Sequence, residues 1–172
     1  MSQKPDPHIS AEVKINLTIL VLGAMVMILN ETALSVALPA IMADFDIPAT
    51  SAQWLLTGFL LTMGVVIPTT GFLMDKFTTR QIFLASAGVF LAGTVFAALA
   101  PAFGILLVGR VFQAAGTALM IPTLMTVAMT LVPPQRRGSV MGIISVVISV
   151  APALGPTVGG LVLSMFTWHV IF

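Results

Sequence analysis

Polar residues are sparse along this chain and gather in short clusters. Between the clusters run five apolar stretches, near residues 15–38, 52–73, 81–100, 104–130 and 140–165. Each holds about 20 residues or more, the length an α-helix needs to cross the hydrocarbon core of a bilayer. Backbone amides and carbonyls in lipid have no water to bond, so such stretches are expected to be helices rather than open strands. The pattern therefore predicts an all-α protein integral to a membrane, with a tail over residues 1–14 and a partial transmembrane domain over residues 15–172.

The connecting segments carry the charge and so orient the spans. Lys4 and Lys14 precede the first span, and the link from Ala40 to Ser51 holds Asp44 and Asp46 without a basic residue. Lys76 and Arg80 follow the second span, the link at Pro101 is uncharged, and Arg136 and Arg137 follow the fourth. All basic residues outside the spans thus fall on one side, which the positive-inside rule makes cytoplasmic. The amino terminus is expected inside and the end of the fifth span outside. Trp54 and Trp168 then fall at the outer boundary, where amphipathic rings favour the headgroup region. A cleavable leader ending near Ala33 and Ser35 is the alternative for residues 1–37, but a long span with four more behind it reads as a membrane helix. Residues 168–172 read as the opening of another apolar segment, and the whole as the amino-terminal piece of a longer protein.

Composition removes other classes of function. The chain is 58% hydrophobic and 8% charged, with a mean hydropathy of +1.11, more apolar than a soluble domain requires. The net charge of +1 gives no reason to expect nucleic acid as a partner. The absence of cysteine excludes disulfides, thiolate metal sites and thiol catalysis. His8 and His169 lie near opposite ends, and there is no HExxH, GxSxG or P-loop pattern. No enzyme activity, metal or cofactor is expected.

Against that background Glu31 and Arg110 are conspicuous, because both are ionisable and both lie inside apolar spans. A charge at bilayer depth costs about 2.5–3.5 kcal/mol even on insertion scales, so such residues read first as parts of an ion or substrate pathway. Glu31 lies eight residues before Pro39 and Arg110 six after Gly104. With a rise of about 1.5 Å per residue, both sit about 10 Å below the same boundary and can share one cavity if their helices are neighbours. Arg110, Gln113, Ala114 and Thr117 recur at i, i+3, i+4 and i+7, so one face of the fourth span is polar. Asn30 and Glu31 are about 100° apart around a helix and need not serve the same partner. A static ion pair joining two helices is the alternative to a proton pathway. In the fifth span Ala151, Gly155 and Gly159 form a small-residue stripe that admits a close helix neighbour. Pro152 and Pro156 remove two amide donors there. Between the second and third spans, Gly71 to Arg80 reads as a charged loop in which Asp75 can pair with Lys76, Arg80, Arg136 or Arg137.

Taken together, these segments resemble the major facilitator superfamily, and within it the fourteen-helix drug/proton antiporters that include lincomycin-resistance exporters. The loop is similar to G-x-L-x-D-R-x-G-R-K-x through Gly71, Leu73, Asp75, Lys76 and Arg80. The fourth span is similar to R-x-x-Q-G-x-G-A-A through Arg110, Gln113, Gly116 and Ala118. The fifth is similar to G-x8-G-x3-G-P-x2-G-G through Gly142, Gly155, Pro156, Gly159 and Gly160, and the first to L-D-x-T-x-x-N-x-A-L-P through Leu29, Thr32, Ala37, Leu38 and Pro39. Thr78 and Thr79 stand where the loop pattern has glycine and a basic residue, Ala114 and Ala151 replace glycines, and Asn30 replaces the acid of the first-span pattern.

The resemblance implies the first five helices of an amino-terminal six-helix bundle built on inverted three-helix repeats. It implies a multi-pass plasma-membrane protein that exports lipophilic drugs by alternating access, driven by protons, in concert with the rest of the same transporter chain. Glu31 would then exchange the proton, with Asn30, Arg110, Gln113 and Thr117 beside it on the pathway. Gly71, Asp75, Lys76 and Arg80 would latch the cytoplasmic side, and Gly142, Ala151, Gly155, Pro156, Gly159 and Gly160 would let the bundle rock. A nutrient importer on the same scaffold, and a non-transporting membrane scaffold, are the alternatives.

Overall fold

The computed structural model describes residues 10–172. Lys4, His8 and the rest of the expected tail before Ser10 lie outside the described residues. The elements run α1 Ala11–Phe45, α2 Ala49–Ala52, α3 Trp54–Lys76, α4 Thr79–Ala98, α5 Phe103–Leu131 and α6 Pro134–Met165, ending in a 3-10 turn at Trp168–Ile171. Among the described residues there is no strand. Five helices are long and apolar enough to cross a membrane, with α2 and α3 together forming one span, Ala49–Lys76. The protein is an all-α, multi-pass membrane protein.

Helix α5 is the centre of the bundle. It packs against α4, α3 and α1, and α6 lies along α1. Half of its apolar window is buried, against 17–33% for the other spans, as expected for the one helix surrounded by protein rather than lipid. Two apolar cores flank it. One joins Leu17, Leu20, Ala24 and Met27 of α1 to Phe90, Met120, Leu124 and Ile144. The other joins Leu34, Ala37 and Ile41 to Leu55, Ala97, Leu106 and Trp168. Asn30, Glu31 and Thr32 lie on the stretch of α1 between these two cores, so the polar positions occupy the waist of the bundle.

Glycines set how closely the helices approach. A Cβ on Gly93 would sit 2.6 Å from the Gly109 carbonyl oxygen, and one on Gly116 would sit 2.7 Å from that of Ser86. The α4 and α5 backbones are therefore in direct contact along this seam, where the Ser86 hydroxyl donates to the Gly116 carbonyl at 2.8 Å. A second seam joins α6 to α1. A Cβ on Gly159 would lie 2.8 Å from the Ala33 carbonyl oxygen, and one on Gly155 would strike the Thr32 side chain. Because lipid gives no hydrophobic drive for helix association, such backbone contact is a main source of packing attraction here.

The helices outrun the apolar stretches that announced them. Helix α1 starts at Ala11, inside the expected tail, behind Ser10, whose hydroxyl accepts from the Val13 amide at 3.3 Å. It also passes through Pro39 and ends at Phe45, since one missing amide does not outweigh the turn that buries Ile41. It is closed by Asp46, which adopts the left-handed conformation (φ 50°) and donates its amide to the Met42 carbonyl. Gly71 to Lys76 is not a loop but the last turns of α3, and only Phe77 and Thr78 separate it from α4. Thr78, standing where the family pattern has glycine, is the N-cap of α4 in a reciprocal capping box with Gln81. Helix α6 begins at Pro134, a residue suited to a first helical position, so Arg136 and Arg137 are helical as well. Residues Trp168–Ile171 form a 3-10 turn that folds back onto the end of α1. The Trp168 ring is buried against Phe45, stacks on His169, and donates Nε1–H to Asp44 Oδ2 at 3.0 Å.

Candidate functional site

The α4–α5 seam brings Gln113 and Thr94 side by side, and α1 supplies Asn30 from across the bundle. At their centre the Arg110 side chain is fully enclosed, with 0% exposure. Its Nη1 donates to Gln113 Oε1 at 2.9 Å and to Asn30 Oδ1 at 3.3 Å. Gln113 Nε2 passes the chain on to Thr94 Oγ1 at 2.9 Å, and Asn30 Nδ2 donates to the Ile171 carbonyl at 2.9 Å. The guanidinium lies over the Phe59 ring of α3, 4.3 Å from its centroid, a cation–π contact that offsets part of the lost hydration.

The polarity of this chain is fixed by chemistry. A guanidinium only donates, so Asn30 and Gln113 must turn their oxygens toward Arg110 and their NH2 groups away from it. Asn30 Nδ2 then requires an acceptor, which Ile171 provides, and Gln113 Nε2 requires another, which Thr94 provides. Satisfaction is nevertheless incomplete. Arg110 Nε and Nη2 are buried and have no hydrogen-bond partner among the described residues. A charged donor left so is costly, more than about 1–3 kcal/mol for a neutral one.

Glu31 is partly buried, one residue along α1 from Asn30. It does not take the free guanidinium donors, because these remain without any partner. The two ionisable groups have no direct pair, and from α1 it is Asn30, not Glu31, that bonds Arg110, alongside Gln113 of α5. Thr117 is buried on the same face of α5, but its hydroxyl donates to the Gln113 carbonyl of its own helix and adds nothing to the chain. Among the described residues, no three His, Asp or Glu side chains come together as metal ligands would.

The remaining candidates fall into two groups. Ala151, Gly155 and Gly159 are buried, the two glycines against Thr32 and Ala33 of α1, whereas Gly142 and Gly160 have open space where a Cβ would stand and Pro156 is exposed. Gly71, Asp75, Lys76 and Arg80 are all exposed. Lys76 Nζ stands 4.3 Å above the Phe72 ring, and Arg137 Nε donates to the Val132 carbonyl. Asp75 makes no hydrogen bond among the described residues, so none of the pairings open to it forms in this conformation.

Three contributors had no strong sequence signal. Thr94 is one of three hydroxyl residues in α4, with Thr79 and Ser86, and its position beside Gly93 on the seam was the only cue. Phe59 is one of 11 phenylalanines and nothing local distinguishes it. The Ile171 carbonyl is backbone and cannot be read from side-chain identity.

A profile described as Major Facilitator Superfamily matches residues 20–172. The chain is 49% identical over 154 residues to the uncharacterized MFS-type transporter YcnB of Bacillus subtilis, covering 90% of this chain and 33% of that protein. It is 45% identical over 153 residues to the lincomycin resistance protein LmrB of Bacillus subtilis, covering 89% and 32%. It is 32% identical over 152 residues to a multidrug resistance protein B homolog of Mycobacterium tuberculosis, covering 88% and 28%. The chain thus spans about a third of the length of the curated relatives it matches. Its fold is similar to the crystal structure of a bacterial homolog of the human lysosomal transporter Spinster, inward-facing and unoccupied. The TM-score is 0.74 at 22% identity, covering 94% of this chain and 38% of the other.

Proposed function

The chain belongs to the major facilitator superfamily, whose members are transporters rather than enzymes, and from that premise we propose that it is part of a proton-coupled exporter of lipophilic drugs. The observation that carries the proposal is the enclosed Arg110, which is held from α1 by Asn30, the neighbour of Glu31, and has two donors without a partner among the described residues. A structural ion pair would be closed and fully bonded. An open arrangement leaves Glu31 free to gain and lose a proton while Arg110 responds through its field. The names of the relatives at 45% and 32% identity, lincomycin resistance and multidrug resistance, support export of antibiotic-like substrates.

In this reading the basic ends of α3, α4 and α6 are cytoplasmic, and the Asp44 and Trp168 end faces outward. Substrate and proton use the bundle waist alternately. The backbone seam between α6 and α1 lets α6 move as a rigid body against α1.

Inside-out vesicles carrying the complete transporter test the direction. With an acidic lumen, lincomycin or a lipophilic dye such as ethidium should accumulate, and collapsing the proton gradient should stop it. Substrate leaving such vesicles under the same gradient would instead identify an importer. Orientation is tested separately in this cysteine-free segment by labelling single variants with an impermeant maleimide. Asp46→Cys should react from outside, and Thr79→Cys or Gln135→Cys only from inside. Reaction of Thr79→Cys from outside would invert the topology.

A further inference from the structure

The Arg110 network leaves the bundle waist at one point. Asn30 joins it to the backbone of the 3-10 turn that follows α6, through Nδ2 and the Ile171 carbonyl. The same turn is held at its other end by Trp168 Nε1 and Asp44. From Thr94 to Ile171 the hydrogen bonds run through four elements, α4, α5, α1 and the turn, each link donating in a direction set by Arg110.

We infer that Asn30 is a positioning residue that couples the arrangement of Arg110 to the placement of the Trp168–Ile171 turn. The carboxamide is suited to this because it accepts from a cation on one side and donates to a carbonyl on the other. A carboxylate would accept from Arg110 at least as well but would face the Ile171 carbonyl with a second acceptor, opening that link. A hydrocarbon would open both. Asn30 in place of the acid of the family pattern therefore does more than remove a titratable group from that position. It converts an end point for Arg110 into a through-connection. When Arg110 turns toward another acceptor, its Nη1 leaves Asn30 Oδ1, the amide plane is no longer fixed, and the Ile171 link weakens. The inference builds on the transport reading for its use in the cycle, but the link itself requires no transport.

Hydrogen exchange in the purified complete transporter, held in lipid nanodiscs, separates the possibilities. The amides of residues 166–172 report on the turn, since Val170 and Phe172 donate within it to Thr167 and His169. Asn30→Asp should speed their exchange by roughly fivefold or more, as expected for loss of one hydrogen bond. Arg110→Met, which removes the donor while keeping an unbranched side chain, should also speed it although Arg110 makes no hydrogen bond to the turn. The double variant should exceed neither single by much, because both cut one chain. Unchanged exchange in Arg110→Met would reduce Asn30 to a local staple and overturn the inference, as would additive effects. Should Asn30→Asp fail to fold, Asn30→Ala is read by the same criteria. Failure of drug accumulation in wild-type vesicles would sink the transport reading and leave this result standing.

Discussion

Gly155→Leu is expected to abolish transport while the protein still inserts in the membrane. The expectation follows from the α6–α1 seam, where a Cβ alone at this position collides with the Thr32 side chain and comes within 3.2 Å of the Ala33 amide nitrogen. Thr32 cannot simply rotate away without loss, because its hydroxyl is already bonded to the Ile28 carbonyl at 2.9 Å. Relief therefore needs the two helices to move apart. Overpacking of this kind costs about 1–3 kcal/mol in well-packed interiors, and separation forfeits the neighbouring contact at Gly159 as well. The apolar character of α6 is unchanged, so insertion should persist. A Cβ at Gly160 meets nothing within 4 Å, so Gly160→Ala should leave the α1–α6 seam intact and serves as the comparison. Efflux and membrane-inserted protein, measured for both variants, decide the matter. Normal efflux by Gly155→Leu would show that the seam opens without consequence.

The fold was legible in the sequence because a bilayer imposes a coarse, strong rule: about 20 apolar residues make a span. The ends of the helices were less legible, since hydropathy marks where lipid begins and not where hydrogen bonding stops. Pro39 and the charged run from Asp75 to Arg80 have the character of breaks, yet they are, respectively, the interior of α1 and the junction of two nearly abutting helices. The polar face of α5 was readable from its spacing, and Arg110, Gln113 and Ala114 are all buried as that spacing requires. Its partners were not readable, because Thr94 and Ile171 reach the site through tertiary packing. The spacing of Asn30 and Glu31 did give the essential point, that adjacent residues on a helix serve different neighbours. Asn30 takes Arg110, and Glu31 is left free.

That freedom sets what a change at Glu31 should do. Glu31→Gln preserves the size of the side chain and its capacity for hydrogen bonds, but it cannot exchange a proton. If Glu31 is the carrier, uphill efflux in the complete transporter falls to background, because the cycle can no longer draw on the proton gradient. Exchange of labelled for unlabelled drug down no gradient should survive, since it needs no net proton movement. A residue with a merely structural role would behave differently. Glu31 makes no hydrogen bond to Arg110, so replacing it leaves the Asn30–Arg110–Gln113 chain intact, and the amount of folded transporter should change little. Glu31→Asp, which keeps a titratable group on a shorter stem, should recover part of the uphill activity if protonation is what matters. Efflux and exchange per folded transporter, measured with and without an imposed proton gradient, distinguish the two roles. Full uphill transport by Glu31→Gln would remove Glu31 from the proton pathway.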